Sequence, residues 1–376
     1  MKDHTSRRWV LQNVGASAAS LTALSTANVT ANEGDQNNRS NNERVAWRRD
    51  FGTHRGTGVA LSGEGVFVGV RNRLLALDKH SGETLSAVTL EGGDIAQPPL
   101  FDSEGMIVST RRALSRFNDG SLSWQVMPGQ MISNALLHDS TVAVAQQKHG
   151  NDSPAKVAGY DTETGELRWE IHGSVGLSGN LVKAEGNSFL FVQGDGSVAK
   201  YDFDGKKKWM AKLDNPCNSS PVIGFGSVFI VDTKGYCYCF SKNKGKRAWK
   251  VNAGSVSRNT TPSINKSNVV VSKLNGLVSF DAATGNQEWV YEMSEQAESG
   301  SIKNGTLYAP SRGALHSVDA QTGRSYWNLS IPEARYVSNG RCGSYKGLKS
   351  SPAVGRGKAY VHTAGGEVLA IKRGEN

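Results

Sequence analysis

Trp169, Trp209, Trp249 and Trp289 stand 40 residues apart, and each closes a phrase of one shape. The phrases read Asp161-Thr-Glu-Thr-Gly165-Glu-Leu-Arg-Trp169, Asp202-Phe-Asp-Gly205-Lys-Lys-Lys-Trp209, Ser241-Lys-Asn-Lys-Gly245-Lys-Arg-Ala-Trp249 and Asp281-Ala-Ala-Thr-Gly285-Asn-Gln-Glu-Trp289. A fifth follows at Asp319-Ala-Gln-Thr-Gly323-Arg-Ser-Tyr-Trp327. A fixed period of this length marks an array of one supersecondary unit, because a unit that small cannot bury its own apolar surface and must stack on its neighbours.

The unit reads as four strands. Between Pro221 and Asn252 the apolar runs are Val222-Ile223, Val228-Phe-Ile-Val231, Tyr236-Cys-Tyr-Cys-Phe240 and Arg247-Ala-Trp-Lys-Val251, separated by Gly, Asn, Asp and Lys. They are short and rich in β-branched and aromatic residues, and none holds a 3.6-residue period. The Asp and Gly of the phrase suit the last hairpin, since Asp can accept from its own turn and Gly takes a positive φ. Four-stranded units repeated at this period predict an all-β fold, a β-propeller of antiparallel blades.

Weaker copies extend the register. Asp78-Lys-His-Ser-Gly82-Glu-Thr-Leu-Ser86 has lost its Trp, and Asn118-Asp-Gly120-Ser-Leu-Ser-Trp124 is shortened. Closing strands at Trp47, Ser86, Trp124, Trp169, Trp209, Trp249, Trp289 and Trp327 predict eight blades, with seven as the alternative. Arg44-Val-Ala-Trp47 is a closing strand without a blade, and the runs at 353–354, 359–362 and 368–371 are a blade without a closing strand. The N-terminal strand is therefore expected to complete the last blade, which removes the open edges of the ring. The repeated Trp47, Trp124, Trp169, Trp209, Trp249, Trp289 and Trp327 are read as structural, packing on the neighbouring blade.

The N-terminus predicts export. Thr5-Ser-Arg7-Arg8-Trp-Val-Leu11 is a twin-arginine pattern followed by an Ala/Ser-rich stretch, so residues 1–31 are read as a signal peptide and 32–43 as a polar, disordered spacer before the propeller at 44–376. The expected location is extracytoplasmic: periplasmic, cell-surface or secreted. No segment is apolar for long enough to span a membrane. Without Lys2, Arg7, Arg8 and Asp3 of the signal, the formal charge of +9 becomes +7. That charge favours anionic partners without naming one. It is concentrated at Lys206-Lys-Lys208 and Lys242-Asn-Lys244-Gly-Lys246-Arg247, the same hairpin of adjacent blades, which reads as a solvated rim or as a surface for an anionic polymer, wall or lipid. No aromatic platform alternates with these lysines, so nucleic acid is not expected.

Chemistry-bearing motifs are sparse. Cys237 and Cys239 alternate on one strand, near the limit of disulfide reach, while Cys217 opens the first strand of that blade and Cys342 lies in a long loop; isolated thiols are expected. The eight histidines are scattered, and metalloprotease, nucleophile-elbow and P-loop patterns are absent. Asp202-Phe-Asp204-Gly205 looks like half a calcium loop but is the hairpin phrase in register. Asn151, Asn265, Asn304 and Asn328 begin glycosylation sequons.

The Asp-Ala-x-Thr-Gly-x-x-x-Trp phrase, with Ser219-Ser-Pro221, Thr260-Thr-Pro262 and Ser350-Ser-Pro352 opening blades, resembles the pyrroloquinoline-quinone-like repeat over residues 44 to 373. That repeat serves both quinoprotein dehydrogenases and non-catalytic propellers of the BamB type, and the chain resembles the latter more. The resemblance implies that an enzyme of the family would carry adjacent, disulfide-linked cysteines over the quinone, a calcium held by acidic and amide side chains, and long insertions. No two cysteines adjoin here and insertions are few. The expected function is an exported, monomeric, non-catalytic scaffold, without cofactor or metal, for a protein or cell-envelope polymer; the alternatives are a quinone- and calcium-dependent dehydrogenase or a small-molecule sensor.

Two insertions break the period, at 146–155 between the second and third strands of the third blade and at 331–349 between the last two blades. Both connections should emerge at one mouth of the ring, where loops on a rigid scaffold place specificity. Arg335, Tyr336, Arg341, Tyr345 and Lys346 are the candidate partner-binding residues. Gln97, Asn134, Asn218 and Asn259, at blade starts, are the candidates for the channel mouth.

Overall fold

The computed structural model describes residues 44–52, 56–63, 65–147, 154–176, 180–256, 260–331, 334–338, 341–345, 347–348 and 351–373. The signal and spacer assignments, Asn151, Asn259 and Lys346 lie outside these residues.

Each repeat folds as one four-stranded antiparallel sheet, and eight sheets form an eight-bladed β-propeller. Blades 1 to 7 cover 56–89, 100–126, 131–172, 182–212, 222–252, 263–292 and 301–330. Blade 8 takes three strands from 353–372 and its fourth from Val45–Asp50, which pairs antiparallel with Glu367–Lys372. The register sets Trp47 opposite Ala370 and Asp50 opposite Glu367, so the N-terminal strand closes the ring as the sequence predicts. First strands of neighbouring blades approach one another and line the axis; fourth strands form the rim.

Burial follows from this layering. The second strand of blade 1, Gly65–Val70, is buried at every position, as a strand covered on both faces must be, and its sequence is a continuous apolar run. The fourth strand of blade 3, Leu167–His172, is mostly exposed and carries charges. The core is divided into eight clusters, one at each junction between successive blades.

The closing tryptophans explain the repeat phrase. Four indoles donate across a junction to the last hairpin of the next blade, Trp124 to the Thr162 carbonyl at 2.9 Å, Trp169 to Phe203 at 2.7 Å, Trp209 to Lys242 at 2.8 Å and Trp249 to Ala282 at 3.1 Å; Trp327 donates to Arg373 at 3.2 Å, and Trp289 packs on Gly323 without such a bond among the described residues. Trp47 closes the ring in the same way, on the Lys79 carbonyl at 3.0 Å. Under the Trp209 ring lies Gly245, with φ of +64°; a Cβ there would stand 2.6 Å from the indole. The phrase needs Gly twice over, for the left-handed turn and for the close approach of the ring.

Blade 1 departs from the pattern. Ser86 takes the tryptophan's place and is buried, and the junction to blade 2 is filled by Phe67 against Phe101, ring centroids 4.9 Å apart, within an aliphatic cluster.

Candidate binding mouth

The connections of the propeller divide between two faces. Segments that join one blade to the next hydrogen-bond to the corners between second and third strands: Ala96 N to Ser109 O at 2.8 Å, Thr233 N to Pro216 O at 2.9 Å, and Ala364 N to Gly347 O at 2.8 Å. First turns bond instead to last hairpins of the same blade, as in Lys242 N to Gly226 O at 2.9 Å and Ala282 N to Ser267 O at 2.7 Å. The described ends of the two insertions therefore lie on one face, the mouth, and the Asp-Gly hairpins on the other.

The insertion between blades 7 and 8 is a β-hairpin, Ala334–Ser338 paired with Arg341–Tyr345, rather than the loop expected from sequence. Arg335 pairs with Ser344, Tyr336 with Gly343, Ser338 with Arg341 and Ala334 with Tyr345. All four described candidates, Arg335, Tyr336, Arg341 and Tyr345, thus share one short ribbon. Cys342 stands on its second strand opposite Val337, which corrects its placement in a loop. Ile331 and Leu348 pack against the core at either end, so the ribbon springs from a fixed base. The signal that was available is Asn339-Gly340, the preferred two-residue hairpin sequence; it was passed over because the flanking runs lack a strict apolar alternation, Ala334 and Val337 being three positions apart.

Gln97 and Asn134 are brought together by the structure, and their amides are engaged with each other. Gln97 Oε1 accepts from Asn134 Nδ2 and from the Ala135 N–H, both at 2.8 Å, and its Nε2 donates to the Ala135 carbonyl at 3.1 Å. The pair ties the entry of blade 2 to the inner strand of blade 3. Asn218 is exposed at the entry of blade 5 and stands apart from them.

Sequence reasoning missed the hydroxyls that make equivalent ties. Ser220 Oγ accepts from Asn180 N at 2.8 Å, Ser299 Oγ from Thr261 N at 2.7 Å, and Ser351 Oγ donates to the Ser299 carbonyl at 2.8 Å. Ser220, Thr261 and Ser351 each precede a proline in the Ser-Ser-Pro and Thr-Thr-Pro phrases, which was the available signal. Buried between blades 8 and 1, His362 Nδ1 lies 2.6 Å from the Thr57 carbonyl. These bonds tie the polar inner ring together, while Asn134 Oδ1 stays buried without a hydrogen-bond partner among the described residues.

A titratable pair lies between the fourth strand of blade 6 and the third strand of blade 7. Tyr291 OH lies 3.3 Å from His316 Nδ1; burial pulls the imidazole below its ordinary pKa, and Glu295 opposes this. Cys217 sits in the entry segment before the first strand of blade 5, which begins at Val222, and faces blade 4. Cys237 and Cys239 face blade 6 on the other side of the same sheet. All three thiols are buried, and burial pushes Cys237 and Cys239 above an ordinary thiol. Among the described residues no cluster of three His, Cys, Asp or Glu is arranged to hold a metal. Asn265 is buried, which removes that sequon as a glycan acceptor, whereas Asn304 and Asn328 are exposed.

A family model described as outer membrane protein assembly factor BamB matches residues 37–175, 155–301 and 194–376. The chain belongs to that family. The BamB of Bordetella pertussis is 26% identical over 138 residues, covering 35% of this chain and 36% of the relative, so the match spans about a third of that protein's length. The crystal structure of BamB from Moraxella catarrhalis superposes with a TM-score of 0.68 at 14% identity, over 88% of this chain and 98% of that one. Quinohemoprotein alcohol dehydrogenase ADHIIG from Pseudomonas putida HK5 superposes with a TM-score of 0.67 at 12% identity, over 88% of this chain and 76% of the enzyme. At these identities the structural likeness reports the fold shared by scaffold and enzyme. Among the described residues, no helix is long and apolar enough to cross a membrane.

Proposed function

We propose that this BamB-family chain is an extracytoplasmic, non-catalytic propeller that binds a protein through its mouth, with the 334–345 ribbon as the recognition element. The observation that carries the reading is the ribbon itself: a paired insertion on the mouth side, between blades 7 and 8. Arginine and tyrosine are the residues most often found as interface anchors, and the ribbon holds Arg335, Tyr336, Arg341 and Tyr345 within twelve positions, with Lys346 adjoining. The twin-arginine segment supports export of the folded chain, and the family's description as an assembly factor supports a protein rather than a small molecule as partner.

Site-specific photo-crosslinking from Tyr336 in intact cells tests this. A discrete protein adduct is expected, and alanine at Arg335, Tyr336, Arg341 and Tyr345 together should weaken capture of that partner tenfold or more, since one anchor worth about 1.4 kcal/mol suffices. An intact interaction in the fourfold variant refutes the site. The fold likeness to quinohemoprotein dehydrogenases supports a second reading as a quinone enzyme. Calorimetric titration with pyrroloquinoline quinone and calcium separates the two: tight stoichiometric binding overturns the scaffold reading.

A further inference from the structure

The face opposite the mouth has its own charge pattern. In blades 4 to 6 its turns carry the exposed Lys206, Lys207, Lys244, Lys246 and Lys266, and the basic run continues through Lys303 of blade 7 and Arg356 of blade 8. Glu185, Asp202, Asp204, Asp281 and Asp319 are acidic residues on this side of the face; Glu185 is taken by Lys242, Asp202 by Lys208 at 2.7 Å, and Asp281 and Asp319 accept from the N–H groups of their own turns. Among the described residues none of the five turn lysines of blades 4 to 6 has an ion-pair partner. Lys200, part-buried under them, is lowered by burial and then by repulsion from Lys242, partly offset by Glu185, with Lys208 adding to the repulsion. The same turns of blades 2 and 3 carry the exposed Glu104, Asp119, Asp139 and Glu163. The face is therefore basic on one side and acidic on the other.

A second observation lies inside the basic side. Phe225 is the tip of the first turn of blade 5, 52% exposed, in a left-handed conformation with φ of +52°. The corresponding left-handed tips of blades 3, 6 and 7 are Asp139, Lys266 and Asn304, all polar. Its turn is bonded to the lysine hairpin through Lys242 N to Gly226 O at 2.9 Å, so Phe225 and that hairpin sit side by side on this face. Left-handed φ is disfavoured for a bulky residue and suits Asn or Gly, and a ring left 52% exposed gains only part of the burial energy of a core aromatic.

We propose that this face docks on an anionic lipid surface, with the blade 4 to 6 lysines over the headgroups, Phe225 inserted at the interface, and the mouth turned away from the membrane. Lysines attract the negative surface potential, and an aromatic ring between them adds apolar contact at headgroup depth. The acidic sector of blades 2 and 3 tilts the disc by repulsion, which sets its orientation.

Co-sedimentation of the full chain with vesicles of phosphatidylglycerol in phosphatidylcholine, against phosphatidylcholine alone, tests the proposal. Binding to the anionic vesicles only is expected, weakening as salt screens the charges. Changing Lys206, Lys207, Lys244 and Lys246 together to Glu should reduce partitioning at least about 100-fold. Phe225→Asn, which keeps a residue suited to the turn, should reduce it about tenfold while leaving retention on soluble polyphosphate unchanged. Equal binding to neutral vesicles, or an unaltered partition for either variant, overturns the proposal; an undiminished Phe225→Asn would mean a soluble polyanion site. Unfolding midpoints equal to that of the parent chain confirm that each variant is folded. The ribbon variant should bind vesicles normally, so failure here and failure at the mouth are told apart.

Discussion

The indole of Trp209 spans the junction between blades 4 and 5, donating to the Lys242 carbonyl at 2.8 Å with its ring against the Cα of Gly245. This contact joins the end of one repeat to the hairpin of the next. Trp209→Ala is expected to cost about 3 to 5 kcal/mol in denaturant unfolding, as emptying a buried aromatic site does. Gly245→Ala should also destabilise, by about 1 to 3 kcal/mol, because the added Cβ overpacks against the ring. A neutral Gly245→Ala would mean that the ring can retreat.

Removal of residues 44–50 strips blade 8 of its fourth strand and takes Trp47 from the cluster it forms with Tyr360, Val66 and Leu75. The shortened chain should melt at a lower temperature and self-associate, since the third strand of blade 8 becomes an open edge. An unchanged melting temperature by calorimetry would show that closure does not depend on this strand.

The hairpin carboxylates confer acid sensitivity. Asp161 is held below the usual carboxylate range by the Thr164 N–H, against the effect of burial, with the Glu163 N–H and Arg168 assisting. In Asp281 the Thr284 hydroxyl acts first and its N–H next. In Asp78 the Ser81 N–H leads. A carboxyl depressed in the folded state contributes stability above its unfolded pKa of about 4 and loses it as the pH falls through the folded value. Asp281→Ala should therefore lower the melting temperature at neutral pH, with the difference from the parent shrinking below pH about 4. A pH-independent difference would assign the effect to packing.

Cys217, Cys237 and Cys239 should resist maleimide labelling in the native chain and label once it is unfolded, because all three are buried away from the reagent and burial also raises Cys237 and Cys239 above an ordinary thiol. A Cys342→Ser background isolates these three. Rapid native labelling would show that the junctions flanking blade 5 open readily.

The mouth was only partly legible in the sequence. The surplus at 331–349 announced an insertion and its residue types announced recognition, yet its pairing as a ribbon depends on hydrogen bonds between residues that carry little strand signal, such as Gly343 opposite Tyr336. The channel candidates show the opposite case. Gln97 and Asn134 are polar in sequence and look free for a ligand, but 37 positions of chain separate two side chains that the ring closes into one hydrogen-bonded pair.

What the sequence determined by itself is the repeat: the strand alternation, the Asp-Gly turn and the closing Trp are local chemistry, set by φ preferences and by burial periodicity within each unit, and they sufficed for eight blades and for closure by the N-terminal strand. The tertiary structure decided which surfaces those units share. Cys217 and Cys237 lie on opposite sides of one sheet, Ser220 and Ser299 become ties between blades, and hairpin lysines 40 residues apart come to share one face, because neighbours in a ring are set by the stacking of whole sheets and not by distance along the chain.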